Sequence, residues 1–238
     1  MVNITADFIK ENNERILAGF TCQARYRAEF TQVKKENKEK LTADERRLLM
    51  AVNLYQYKFT LTQIAEVIGF SACKSTRLFK TLEQAGMIKI VKIVKGKGIS
   101  KYAILLERAY ELLNLEEKKF YGKGAGYEHV VWQHLIAEHF SEYKAVIELN
   151  RHGKFIDVAI EHENKLIAIE VAMTAVNEKI NIMKDLNIAR ADRVIVACKD
   201  LKVLEEVKQK LFELQEGLRQ KTAVYLLGEI LKKDLRDL

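Results

Sequence analysis

The chain has 238 residues, 48% of them hydrophobic and 31% charged, with a formal net charge of +7. That balance supplies a core for one large domain or two small ones and excludes a disordered chain. No run reaches the 18 or more apolar residues of a membrane span, and the N-terminus lacks a basic-then-apolar signal pattern. Three scattered cysteines, Cys22, Cys73 and Cys198, fit reduced thiols better than a disulfide framework or a zinc site. The expectation is a cytoplasmic protein with no membrane partner. Proline is absent, a bias toward regular elements.

The charge is unevenly placed. Residues 40–115 carry 13 Lys+Arg against 6 Asp+Glu, a net of +7, whereas residues 1–39 are at +1 and residues 116–238 at −1. A concentrated basic segment suits a polyanion-binding module. A solvated basic face without a partner would give the same count.

Residues 7–36 read as helix, with Phe8, Ile16, Leu17, Phe20, Tyr26 and Phe30 at apolar positions, and the polar run 34–40 reads as a linker. Thr42 and Glu45 make a capping-box pattern that opens a helix whose expected buried side is Leu48, Leu49, Val52 and Leu54. A second helix is predicted at 61–68, ended by Gly69. Ser71 caps a third that runs to about Ala85 and stops at Gly86. Residues 88–106 give two β-rich runs around a Gly-Lys-Gly turn at 96–98, a hairpin pattern, and a helix at 106–119 closes the segment.

Three short helices and a two-stranded hairpin resemble the winged-helix domain. The run 71–88 resembles its recognition helix, with a capping Ser71, basic residues on one side, and Leu78, Phe79 and Leu82 toward the core. Lys74, Arg77 and Lys80 recur at spacing three and share a face. By the resemblance that face enters the major groove of duplex DNA, with Lys92, Lys95, Lys97 and Lys101 of the wing reaching flanking phosphates. A winged helix that makes only protein contacts is the alternative.

After a glycine-containing hinge at 121–128 the pattern changes. A helix is predicted over 128–140, with Val131, Trp132, Leu135, Ile136 and Phe140 inside. Strands follow at 144–149, 155–162 and 165–173, then a helix at 177–188, a strand at 193–199, a helix at 201–217, a strand at 222–228 and a last helix to the end. The first three strands lie too close together for helical crossovers and should be antiparallel. The later ones alternate with helices and should add in parallel. A two-residue turn at Glu163-Asn164 places Asp157 directly opposite Glu170, and puts Ile156, Val158 and Ile160 in one buried layer with Ile167, Ile169 and Val171. Two carboxylates facing each other need neutralising, and a divalent cation such as Mg²⁺ would do it. A metal so held activates water and neutralises charge at a phosphodiester.

That αβββαβ order, with Asp on its second strand and an acidic residue on its third, resembles the PD-(D/E)XK nuclease superfamily. The match is Asp157, twelve intervening residues, and Glu170-Val171-Ala172. The resemblance implies metal-dependent DNA cleavage, with Asp157 and Glu170 holding Mg²⁺ or Mn²⁺, and Glu128 on the preceding helix assisting. The stretches 126–134 and 181–186 also look like nuclease-like domains that accompany DNA-translocating or conjugation ATPases, which implies such an ATPase as a partner. Members of both families form homodimers. The motif lysine is replaced by Ala172, so Lys184 or Lys154 would have to stand in for it.

Other signals are weaker. His129, His134 and His139 scatter around their helix and read as surface histidines. Glu148 either joins the metal site or is an exposed strand residue, and Trp132 reads as core. Neither a Walker A pattern nor G-x-G-x-x-G occurs in the sequence. The expected class is α/β: a helical segment at 1–39, a winged helix at 40–119, and a restriction-endonuclease-like domain with a mixed sheet at 120–238. Two functions fit: a DNA-cleaving enzyme, or a non-catalytic DNA-binding regulator or accessory factor whose degenerate nuclease fold serves assembly. A repressor sensing a small ligand is a third.

Overall fold

The computed structural model describes residues 41–95, 98–116 and 126–237. The N-terminal helix expected at 7–36, Lys97 of the hairpin turn and residues 121–125 of the hinge lie outside them. From Glu45 onward the chain is one compact unit. Among the described residues no helix is long and apolar enough to cross a membrane.

Helices α1 (Ala43–Tyr55), α2 (Leu61–Val67) and α3 (Ala72–Gln84) lead into strands β1 (Ile88–Lys95) and β2 (Gly98–Leu105). α2 is opened by a capping box, in which the Thr60 side chain and Gln63 each accept the other's backbone N–H. Ser71 caps α3 with a single bond, accepting the Lys74 N–H at 3.4 Å. Gly69 and Gly86, at φ +67° and +68°, let the chain leave α2 and α3 through the left-handed region. α1 buries Leu48, Leu49, Ala51 and Val52. Leu54, expected with them, is 67% exposed, because at 100° per residue it falls on the far side from that stripe. The hairpin pairs Ile88 with Leu105 through Lys95 with Gly98. Helix α4 (Glu107–Leu113) ends at Asn114, which takes φ +54°, several residues before the expected stop at 119.

Next come α5 (Tyr127–His139), β3 (Val146–Arg151), β4 (Lys154–His162), β5 (Lys165–Ala172), α6 (Glu178–Asn187) and β6 (Arg193–Cys198), then α7 (Leu201–Phe212), α8 (Glu216–Gln220), β7 (Thr222–Leu226) and α9 (Leu227–Ile230). The five strands lie in the order β3-β4-β5-β6-β7. The β3–β4 and β4–β5 pairs are antiparallel, and the β5–β6 and β6–β7 pairs are parallel. The mixed α/β architecture read from the sequence is therefore present. Two details differ. The helix expected over 201–217 is α7 and α8, because the chain turns in to bury Leu214 between them. The last helix does not run to the end: Asp234 Oδ1 accepts the Arg236 N–H at 3.0 Å, a local turn that competes with helix.

The sheet is buried on both sides. One cluster joins Val158, Ile160, Ile169 and Val171 to Val131, Trp132 and Ile136 of α5. The other joins Ala168, Ala172 and Val196 to Ile182 of α6 and Val207 of α7. The first cluster also contains Val91, Ile93, Tyr102 and Ile104, so one face of the β1–β2 hairpin belongs to the same core as the sheet. Tyr57 adds to this join by stacking on His134 with ring centroids 4.1 Å apart.

Candidate functional site

The β4–β5 turn is the two-residue one expected. Glu163 and Asn164 both take positive φ, 51° and 61°, as a primed hairpin turn requires. The register runs from His162–Lys165 to Val158–Ile169, and continued by one residue it sets Asp157 against Glu170. The ladder stops there, although β4 begins at Lys154 and β5 continues to Ala172. In the opening, Asp157 Oδ2 accepts the Val171 N–H at 2.7 Å, so a carboxylate takes the place of a strand carbonyl. On the other side, Glu148 of β3 has φ +54°, and the β3–β4 pairs Ile147–Val158 and Leu149–Ile156 straddle Glu148 and Asp157. The ribbon turns over at this kink. Ile156 therefore packs in the α6–α7 layer while Val158 packs in the α5 layer. That corrects the expectation that Ile156 and Val158 share a face, since strict alternation fails where the backbone leaves the β region.

The kink collects polar groups from five elements. His129 Nε2 lies 3.0 Å from Asp157 Oδ2. Gln133 Nε2 donates to Asp157 Oδ1 at 3.1 Å and to Glu148 Oε1 at 2.7 Å. Glu170, 3% exposed, accepts from Lys154 Nζ at 3.3 Å. The same ammonium is 3.4 Å from Oδ1 of Asp185, which is fully buried on α6. Glu178, in the first turn of α6, is also buried, and among the described residues its Oε2 and both Asp185 oxygens meet no hydrogen bond of good geometry.

The electrostatics follow from this crowding. Burial first, then the Asp157 and Asp185 charges, hold the Glu170 carboxyl well above the ordinary range. Burial also raises Glu178 to about 7, with Asp157 adding to it, and raises Asp185 to about 6 against the opposing pull of Lys154. Burial acts to lower Lys154, but Glu170 and Asp185 outweigh it and the ammonium is held above its usual value. His129 behaves likewise: burial lowers it, the bond and charge of Asp157 raise it, and the net shift is upward. The Lys154 ammonium and the His129 imidazole, whose protonated form Asp157 favours, are thus the groups that offset this pocket of acids.

Of the residues expected in this site, Asp157 and Glu170 are there, and so is Lys154. Lys184 is exposed on α6, whose turned-in residues are Glu178, Ile182, Asp185 and Leu186. Glu128 pairs with Lys199 at 2.9 Å, and the α5 residues that touch Asp157 are His129 and Gln133. Ala172 is fully buried in the α6–α7 layer. The sequence reading missed His129 and Gln133, which lie one turn apart on one face of α5. It also missed Glu178 and Asp185, whose spacing of seven brackets Ile182 on the buried stripe of α6. Glu148, read as either a ligand or an exposed strand residue, belongs to the Gln133 network. Among the described residues, no group of three or more His, Cys, Asp or Glu side chains is arranged to hold a metal ion. Asp157 and Glu170 themselves offer carboxylate oxygens, and Mg²⁺ characteristically takes one or two carboxylates and keeps several waters.

The basic residues lie on the α3 and hairpin surfaces. On α3, Ser75, Phe79 and Leu82 are buried, and Arg77 and Lys80 project on the opposite side. Leu78, expected inside, is only partly buried. Lys74 sits over the Phe70 ring at 4.1 Å. Lys92 and Lys101 are direct cross-strand partners, and Lys95 donates to the Tyr102 hydroxyl at 2.7 Å. Comparison with protein-family models, curated proteins and solved structures gave no match to this chain.

Proposed function

We propose that the chain binds duplex DNA and cleaves phosphodiester bonds with a divalent cation. In this reading, the basic helix-and-hairpin part docks as a winged helix, and the α/β part works as a PD-(D/E)XK-like nuclease. The observation that carries it is the convergence of Asp157, Glu170 and Lys154 where β4 and β5 separate. Asp157, Glu170, Glu178 and Asp185 crowd around two basic groups, Lys154 and His129, and the raised values of Glu170, Glu178 and Asp185 reflect the cost of ionising acids so close together, a cost that a bound cation would relieve.

The residues present fit such an ion. Asp157 and Glu170 would hold Mg²⁺ or Mn²⁺, which when bound supplies an activated water and charge neutralisation at the phosphoryl group. Gln133, His129 and the Val171 N–H fix the orientation of the Asp157 carboxylate. Lys154 reaches Glu170 from the neighbouring strand and stands in for the lysine that the motif lacks at Ala172. A lysine at 172 itself would point into an apolar layer, where an unpaired ammonium is costly.

One observation favours a non-catalytic reading, a DNA-binding accessory factor: Asp157 already has three polar partners. The test is nicking of supercoiled plasmid, and cleavage of branched and single-stranded DNA, with Mg²⁺ or Mn²⁺. Wild type is run beside Asp157→Asn and Lys154→Met. Metal-dependent cleavage that falls by about 10²-fold or more in both variants supports the enzyme. Salt-sensitive DNA binding without cleavage leaves the accessory factor, and failure to bind DNA removes both.

A further inference from the structure

A groove of about 730 Å³ opens between α2, α3 and the hairpin. Its size falls in the range of pockets that enclose small ligands, roughly 300–1,000 Å³. Ala65, Phe79 and Ile90 give it an apolar floor. Above that floor stand Lys80 of α3 and the Lys92–Lys101 pair of the hairpin. Two ammonium groups directly opposite each other on a hairpin repel. The opposite face of the hairpin is locked into the core through Val91, Ile93, Tyr102 and Ile104, so the strands hold the two lysines facing the groove.

Two carboxylates also line the groove. Glu83 is committed to the Ile90 N–H at 3.0 Å, and Glu66 is exposed on α2. Three ammonium groups therefore outnumber two carboxylates, and the exposed Thr62 and Thr76 add hydroxyls to the lining. Cations and hydroxyls over an apolar floor match a ligand with a phosphate at one end and a flat, weakly polar body at the other. A duplex held by its backbone would meet only the rim, because its bases are stacked away from the floor.

We propose that this groove binds a nucleotide. Lys80, Lys92 and Lys101 take the phosphate, and the base lies on Ile90 and Ile99, the apolar lining residues of the hairpin that stay accessible. The nucleotide comes either free or as an unpaired residue of a strand. The inference rests on the reading of this part as nucleic-acid-binding and adds a second mode to it, recognition of a single unstacked nucleotide.

The experiment is calorimetric titration of the full chain with AMP, ADP, pyrophosphate, a short single-stranded oligonucleotide and a blunt duplex. Wild type is compared with Lys92→Ser/Lys101→Ser and, separately, with Lys80→Ser. The expected result is saturable binding of a mononucleotide or of the single strand, tighter than pyrophosphate, and weakened about tenfold or more by either variant. Mononucleotide binding identifies a free ligand, and binding of the single strand alone identifies the unpaired residue. Duplex binding with no binding of mononucleotide or single strand overturns the inference and leaves the function proposed above standing. Nucleotide binding that neither variant weakens also overturns it. Nucleotide binding by the wild type without any duplex binding would count against the proposed function alone. Circular dichroism of each variant checks that the hairpin is intact.

Discussion

Lys154 is the residue on which the acidic site depends, and replacing it with Met should destabilise the fold strongly and in a pH-dependent way. Its ammonium lies 3.3 Å from Glu170 Oε1 and 3.4 Å from Asp185 Oδ1. At an effective dielectric constant of about 20, each pair has a gross attraction of roughly 5 kcal/mol. Desolvation of three buried groups cancels much of that. Removing one partner still leaves the others as uncompensated charges, which costs about 3–5 kcal/mol. Met keeps the length of the side chain, so packing contributes little. The cost should be largest at pH 8, above the values at which Asp185 and Glu178 titrate. It should shrink at pH 5.5, because Asp185 titrates at about 6 and Glu178 at about 7, and a protonated acid no longer needs Lys154. Urea unfolding of both proteins at the two pH values measures it. A loss below about 1 kcal/mol at pH 8, or one no smaller at pH 5.5, would refute the argument.

The wild-type protein should also respond to pH on its own. Glu178 and Asp185 have folded-state values raised above 4.5 and 3.8, to about 7 and about 6. Their stabilisation is fully present below pH 4 and is lost as pH rises through 6 and 7, at most about 3 kcal/mol for each group. In chelator, Tm should fall between pH 5.5 and 8, and Glu178→Gln should flatten the fall; a Tm that climbs over that range contradicts the assignment. On the basic face, Arg77→Ala should weaken duplex binding and reduce the slope of log K against log salt by about one, read by fluorescence anisotropy, and an unchanged slope would take Arg77 out of the interface. Within the helix-and-hairpin part, buried Gln56 donates to the Tyr110 hydroxyl at 3.0 Å and accepts the Leu105 N–H at 3.2 Å. Gln56→Leu removes the acceptor of the Leu105 N–H and a donor to Tyr110 and should cost about 1–3 kcal/mol in urea unfolding, whereas an unshifted midpoint would show that water replaces the amide.

How much of the fold could be read in advance depended on how local its cause was. Ser71, Gly69 and Gly86 act within one turn of the chain, and the ends of α2 and α3 were legible from them. The β4–β5 register was legible because Glu163-Asn164 admits only one hairpin geometry. The join between the two halves of the chain was not. Val91, Ile93, Tyr102 and Ile104 alternate as one face of any half-buried hairpin would. Nothing in that pattern says that the layer covering them is helix α5 and a sheet more than fifty residues away.

The same distinction explains the site. Asp157 and Glu170 were legible as a pair because one turn fixes them, but Lys154 and Lys184 could not be ranked. The choice between the two lysines is made by the kink at Glu148 and Asp157, where β3 leaves the β region and the ribbon turns over. That turnover brings Lys154 to the face where Glu170 and Asp185 lie. Lys184 stays on the outside of α6 because, at 100° per residue, it falls on the far side of the helix from the buried stripe of Glu178, Ile182, Asp185 and Leu186. With Asp185 turned inward, a lysine that reaches Glu170 has to come from β4.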